Sequence, residues 1–246
     1  MADIKAVIFD LDGCLVDSEP LSLAAVAAEM RATGLWETTV DEVREKYLGV
    51  SIQKIRADVA ERLRRPCPED FGDRIEVRLF DLYNTGLRRI EGARDLLTTL
   101  SGLGIPVAIA TGGSVKRMRK TLDLAGLETH FKARAFSADQ VRHGKPAPDL
   151  FLLAAKRLGV VPAHCAVLED SPHGIAGAAA AGMRPIGFVG GSHLDGRRTE
   201  HASRLYSAGA VQVVDNLSKA LEALLSIDAQ ALHHNRIPVN SSIQPD

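Results

Sequence analysis

The chain has 246 residues, with 30 Lys and Arg against 31 Asp and Glu and a formal net charge of -1. So even a balance leaves no basic footprint for nucleic acid or for an anionic membrane, and 4% aromatic content offers no stacking platform for single strands. With 46% hydrophobic and 25% charged residues this is a folded globular composition, expected to bury roughly 70% of its unfolded surface.

The N-terminus, Met-Ala-Asp-Ile-Lys, has no signal-peptide layout and runs straight into Ala6-Val-Ile-Phe9. That run is apolar throughout, as a strand buried on both faces requires. No strand follows between about residues 19 and 88. Helical patterns stand there instead, at Leu21–Thr33, Val40–Tyr47, Ser51–Arg65 and Glu69–Leu87, with Pro66 and Pro68 between the last two. A helix over Gly92–Leu103 then leads to a strand at Ile105–Ala110 and a helix at Ser114–Ala125. Next come a weaker strand at Ala133–Phe136, a helix at Asp149–Leu158, a strand at Cys165–Leu168 and a helix at His173–Ala181. Strands at Pro185–Val189 and Val211–Val214 and a helix at Asn216–Leu225 complete the series.

Strand alternating with helix predicts an α/β fold, a Rossmann-like parallel sheet with helices on both faces. The break in rhythm predicts an inserted all-helical cap over the end of the first strand. The expected division is a core of 1–17 and 89–227, a cap of 18–88, and a tail of 228–246 that is loosely docked or disordered. His233-His234 in that tail reads as solvated rather than metal-binding. Cys14, Cys67 and Cys165 are odd in number and lack a Cys-x-x-Cys spacing, which points to a reducing cytoplasm and away from disulfides or zinc. No apolar run is long enough for a membrane span, and monomer or weak homodimer is the default assembly.

The chemistry gathers where the apolar runs stop. The first strand exits into Asp10-Leu-Asp12-Gly13, the second into Thr111-Gly-Gly-Ser114, the fourth into Glu169-Asp170-Ser171. Open parallel sheets bind ligands outside the carboxyl ends of their strands. Carboxylates crowded at one site repel and raise one another's pKa, and a hard divalent cation resolves this. Oxygen donors without His or Cys point to Mg²⁺, which retains waters and leaves room for a phosphate oxygen. Lys145, in the proline-stiffened His143-Gly-Lys-Pro-Ala-Pro-Asp149, supplies a fixed positive charge. These parts suit phosphoryl transfer through an aspartyl-phosphate. Asp10 is the expected nucleophile, and Asp12 the acid that protonates the leaving oxygen and then the base that activates water. Thr111 and the amides of Gly112 and Gly113 are expected to hold phosphate oxygens, with Lys145 neutralising their charge.

The residues Asp10-Leu-Asp-Gly-Cys-Leu-Val-Asp-Ser-Glu19, Thr111, Gly144-Lys-Pro-Ala-Pro-Asp149 and Leu168-Glu-Asp-Ser-Pro-His-Gly-Ile175 resemble, in order, the four motifs of the haloacid dehalogenase superfamily. Over residues 4 to about 225 the likeness is to its sugar-phosphate phosphatases and β-phosphoglucomutases, with a finer similarity to 6-phosphogluconate-phosphatase-type members. The resemblance implies a helical cap and Mg²⁺ on Asp10, the Asp12 carbonyl and Asp170. Glu169 matches a position that binds the metal directly or through water. Two departures separate the chain from the mutases. Ser22 stands where they carry His, and Ile52 stands where they carry the Arg that grips a second phosphate.

The expected function is therefore Mg²⁺-dependent hydrolysis of a small phosphorylated metabolite, a sugar or sugar-acid phosphate. A phosphosugar mutase and a non-catalytic metabolite-binding module are the alternatives. Glu19, Ser22, Lys46, Ser51 and Arg78 are the cap residues available to face substrate. Asp149 is read as a helix cap, Cys14 as a thiol beside the site that bears only on oxidant sensitivity, and Arg197-Arg198 as loop surface.

Overall fold

Parity along the strands organises the molecule. In β1 (Ala6–Phe9), Val7 and Phe9 point to one face of the sheet while Ala6 and Ile8 point to the other, and all four are fully buried. A strand apolar on both faces needs cover on both, and the helices supply it. The computed structural model, which describes residues 3–225, pairs β1 in parallel with β2 (Val107–Thr111) and β4 (Cys165–Glu169). With β3 (Ala135–Ser137), β5 (Arg184–Phe188) and β6 (Gln212–Val214) these form a six-stranded sheet in the order β3-β2-β1-β4-β5-β6. Every pair is parallel. The expected tail, and His233-His234 within it, lie outside the described residues.

Four consecutive helices follow β1: α1 (Glu19–Thr33), α2 (Val40–Tyr47), α3 (Ile52–Leu63) and α4 (Phe71–Gly86). They enclose an apolar cluster of their own around Met30, Val59, Phe71 and Leu79. At its centre the fully buried Glu29 accepts from Arg78 Nε at 2.7 Å and also pairs with Arg74. Arg78, read as available to face substrate, is half-exposed and pairs with this buried carboxylate. The chain enters and leaves the segment side by side: Asp17 N donates to Arg88 O at 2.8 Å and Ile90 N to Leu15 O at 3.0 Å.

The remaining helices flank the sheet. They are α5 (Ala93–Gly102), α6 (Val115–Leu124), α7 (Glu128–Phe131), α8 (Asp149–Leu158), α9 (Pro172–Ala180), α10 (Arg198–Ser207) and α11 (Leu217–Leu225). Polar contacts join the four-helix segment to them. Glu76 of α4 accepts from Ser114 Oγ at 2.6 Å and pairs with Lys116 at 3.0 Å, while Glu45 of α2 pairs with Arg197 at 2.9 Å.

Several boundaries differ from the sequence reading. Pro106 has no N–H to give a ladder, so β2 starts two residues later than expected, at Val107. β3 is displaced to Ala135–Ser137, and α3 stops at Leu63 because Arg64 turns left-handed at φ 53°. The short α7 and the helix α10 were not foreseen. Arg197 and Arg198 open α10 rather than lying in a loop, and only His201 and Leu205 of that helix are buried.

Candidate active site

Register brings the strand ends together. Phe9 of β1 is level with Ile109 of β2 and Leu168 of β4, so the chain leaves the sheet at Asp10 with Glu169 alongside and Thr111 on the other neighbour. Because β1 is the central strand from which the order runs outward both ways, the cluster sits at the switch point.

Lys145 closes it. The loop after β3 carries its ammonium over the Phe151 ring, 5.3 Å from the centroid, to within 2.6 Å of Asp10 Oδ1 and into contact with Glu169 Oε1. Glycines in α9 make the room. A Cβ at Gly177 would press on Phe151 at 3.1 Å and on the Pro146 and Ala147 carbonyls; one at Gly174 would stand 1.8 Å from Glu169 Oε1. Glu169 is thus seated under the start of α9, its second oxygen accepting from Ser171 N at 2.7 Å. Gly174→Ala should therefore invert the usual helical preference. In an open helix it would stabilise by up to about 1 kcal/mol; here, overpacking Glu169 is expected to destabilise by about 1–3 kcal/mol. Urea unfolding of the two proteins checks the sign.

Charge is crowded here. Burial pushes the Asp10 carboxyl well above its usual range; Lys145 opposes this, and Glu169, Asp170 and Asp12 add to it. Glu169 is raised by burial against the pull of Lys145. Burial would lower the Lys145 ammonium, but Asp10 and Glu169 outweigh it and keep the group protonated.

Asp12 lies in different surroundings. Arg117 Nη2 donates to its Oδ1 at 2.8 Å, Thr111 Oγ1 to its Oδ2 at 3.3 Å, and Ser18 Oγ also donates to Oδ1. Ser18 is the N-cap residue of α1, yet its hydroxyl makes no capping bond and serves Asp12 instead. Arg117 also reaches Glu19, at 3.5 Å, and burial raises the Glu19 carboxyl. Thr111 Oγ1 accepts from Gly113 N at 3.1 Å; Gly112 is exposed. Ser114 Oγ caps α6 by accepting from Arg117 N at 3.0 Å.

Asp10, Asp12, Glu19, Thr111, Gly113, Lys145, Glu169 and Asp170 thus share one cleft. The other residues singled out make their contacts elsewhere. Ser51 is exposed and caps α3, accepting from Lys54 N at 3.5 Å, with no bond to the cluster. Lys46 pairs along its own helix with Glu42 at 3.1 Å. Asp149 makes no capping bond and lies 3.3 Å from His143. Cys14 is fully buried, and burial pushes its thiol well above the ordinary value, so it is an inert packing residue rather than an oxidant-sensitive one.

Arg117, Ser18 and His193 were not anticipated. Arg117 carried a signal. Lys116 and Arg117 lie in the first turn of α6, where the helix dipole disfavours cations, so anionic partners are needed to hold them there. His193 lies 3.2 Å from Asp170 Oδ2.

The residues suit magnesium. Among the described residues no three His, Cys, Asp or Glu side chains form a ready metal cage. Mg²⁺ needs none, since it takes one or two carboxylates and fills its shell with other oxygens and water. Gly13, at φ 79°, provides a cradle for this: an added Cβ would stand 2.1 Å from Asp170 Oδ2. Only bare backbone lets that carboxylate approach the turn bearing Asp10 and Asp12.

Known proteins share this arrangement of sequence and fold. A phosphorylated carbohydrates phosphatase of Thermotoga maritima is 32% identical over 212 residues, covering 86% of this chain and 94% of its own. Hexitol phosphatase A of Escherichia coli K12 is 35% identical over 189 residues, 74% of this chain and 82% of its own. The crystal structure of a HAD family hydrolase from Deinococcus radiodurans R1, with bound phosphate and sodium, superposes with a TM-score of 0.73 at 33% identity, covering 92% of this chain and 97% of that one. The profile of haloacid dehalogenase-like hydrolases matches residues 4–182, well over half of the chain, and takes in every motif around the cleft. The chain belongs to the haloacid dehalogenase-like hydrolase family.

Proposed function

We propose that this hydrolase is a Mg²⁺-dependent phosphatase acting on a small phosphomonoester, a sugar or sugar-acid phosphate, through an aspartyl-phosphate on Asp10. The observation that carries the reading is the contrast between two neighbouring carboxylates. Asp10 is buried against a fixed ammonium, whereas Asp12 stands in a hydrogen-bonded cleft two residues on. Such a contrast suits one group to attack and the other to move a proton. The phosphatases of carbohydrate and hexitol phosphates among its relatives support the substrate class.

The chain's own residues divide the work. Asp10 Oδ attacks phosphorus as the bond to the leaving oxygen breaks, and Asp12 gives that oxygen its proton. Water then attacks the aspartyl-phosphate, Asp12 takes a proton back, and orthophosphate leaves with the Asp10 carboxylate restored. Lys145 offsets charge on the phosphoryl oxygens, Thr111 orients them, and Glu169 holds Lys145 in place. Asp10, the Asp12 carbonyl and Asp170 would hold Mg²⁺, which supplies positive charge against the transferring group. The four-helix segment stands over this cleft as a cap that excludes bulk water.

Hydrolysis is favoured over mutase chemistry by Ile52. It opens α3 and packs against the cap's apolar cluster, where it offers nothing to a second phosphate. Phosphate release across a panel of sugar and sugar-acid phosphates, with Mg²⁺ and with EDTA, tests the reading. Release with Mg²⁺ and its loss in EDTA are expected. No release from any of them, or conversion of glucose 1-phosphate to glucose 6-phosphate without free phosphate, would refute it.

A further inference from the structure

Three loops meet at one buried pair of side chains. His193, in the 3₁₀ turn Ser192–Leu194 after β5, is 3% exposed, with Nε2 3.2 Å from Asp170 Oδ2. Both glycine turns around it are shaped to admit the ring. A Cβ at Gly13 would lie 3.1 Å from His193 Cε1, and one at Gly191 would lie 2.6 Å from both Cε1 and Nδ1. Nδ1 has no partner of its own. A histidine kept only for packing would have both ring nitrogens satisfied or be replaced by an apolar residue. This one has a single polar contact, the carboxylate. Asp170 is also held at its backbone, where His201 Nε2 donates to its carbonyl at 2.6 Å, from α10.

We infer that His193 is a positioning residue for magnesium, fixing the Asp170 carboxylate beside Asp10. The inference rests on the reading of Asp170 as a metal ligand. Without a donor on Oδ2, repulsion from Asp10 and Glu169 turns Asp170 away from the site. A carboxylate held at one oxygen presents the other in a fixed direction, and losing such outer partners typically costs about 10–100-fold in metal affinity.

The test is Mg²⁺ binding to the full chain by titration calorimetry, alongside the Mg²⁺ dependence of phosphate release. His193→Ala should weaken Mg²⁺ binding by about 10–100-fold, and His193→Gln, which keeps a donor, should recover most of it. The Mg²⁺ concentration for half-activation should rise in step, while kcat at saturating Mg²⁺ stays near that of the parent. A merely structural residue would lower kcat at every Mg²⁺ concentration. If His193→Ala does not fold, His193→Leu against His193→Gln makes the same comparison. Asp170→Asn separates the two levels of the argument. Should Asp170→Asn lose Mg²⁺ while His193→Ala binds it like the parent, the role of His193 is wrong and the metal reading stands. Should Asp170→Asn bind Mg²⁺ unchanged, the metal reading falls and His193 with it.

Discussion

Asp10→Asn is expected to lower kcat by at least about 10³-fold, or about 4 kcal/mol of barrier, while leaving the fold as stable as the parent or more so. The amide has no lone pair of comparable nucleophilicity, so the aspartyl-phosphate cannot form. The stability half follows from the surroundings. Burial raises the Asp10 carboxyl, and Glu169, Asp170 and Asp12 add to that against Lys145 alone. A carboxyl whose folded pKa lies above its unfolded value binds its proton more tightly when folded. The folded state therefore loses stability as pH rises through that range, and ionising Asp10 is a net cost to the fold. Asparagine removes the charge and keeps the shape. Phosphate release and a melting temperature in metal-free buffer read the two halves separately. Retention of more than about one per cent of kcat would exclude nucleophilic catalysis by Asp10. A lower melting temperature would mean that the bond to Lys145 outweighs the crowding.

A stable, inactive variant would mark a site held together against its own electrostatics, and this explains which parts of it were legible in the sequence. β1 and β4 could be read because both of their faces are apolar, and their exits into Asp10 and Glu169 interrupt that pattern abruptly. The end of each strand is local information. The pairings that hold the site are not. Arg117 meets Asp12 from 105 positions away, and His193 meets Asp170 from the far side of β5. Nothing beside either residue in the chain announces its partner. The same limit applies to the four-helix segment. The Arg78 pattern is that of an exposed helical position, and nothing near it announces its pairing with the buried Glu29, 49 positions earlier. α10 escaped notice because a helix with only His201 and Leu205 buried has too narrow an apolar stripe to show a period. Glycines were legible as turns but not as cradles, since the clash that excludes a side chain at Gly13 or Gly174 comes from Asp170 or Glu169 across the fold.

Lys145→Met tests the same crowding from the other side. Methionine keeps much of the stem's volume over Phe151 but takes away the one ammonium shared by Asp10 and Glu169. Both carboxylates are then left buried without that counter-charge, and breaking a buried pair typically costs about 3–5 kcal/mol. For a chain of this size that corresponds to a melting temperature lower by about 6–20 °C. Denaturant unfolding in metal-free buffer gives the free energy directly. The double variant Asp10→Asn/Lys145→Met decides the cause. If the loss is uncompensated charge, neutralising Asp10 removes one of the two stranded carboxylates. Asp10→Asn should then gain at least about 1 kcal/mol more in the Lys145→Met background than in the parent, an interaction of the size expected for groups in contact. If instead the loss is the packing of the lysine stem on Phe151, Asp10→Asn recovers no more stability in the Lys145→Met background than in the parent. Equality of those two increments would separate the fold's stability from the Asp10–Lys145 pair.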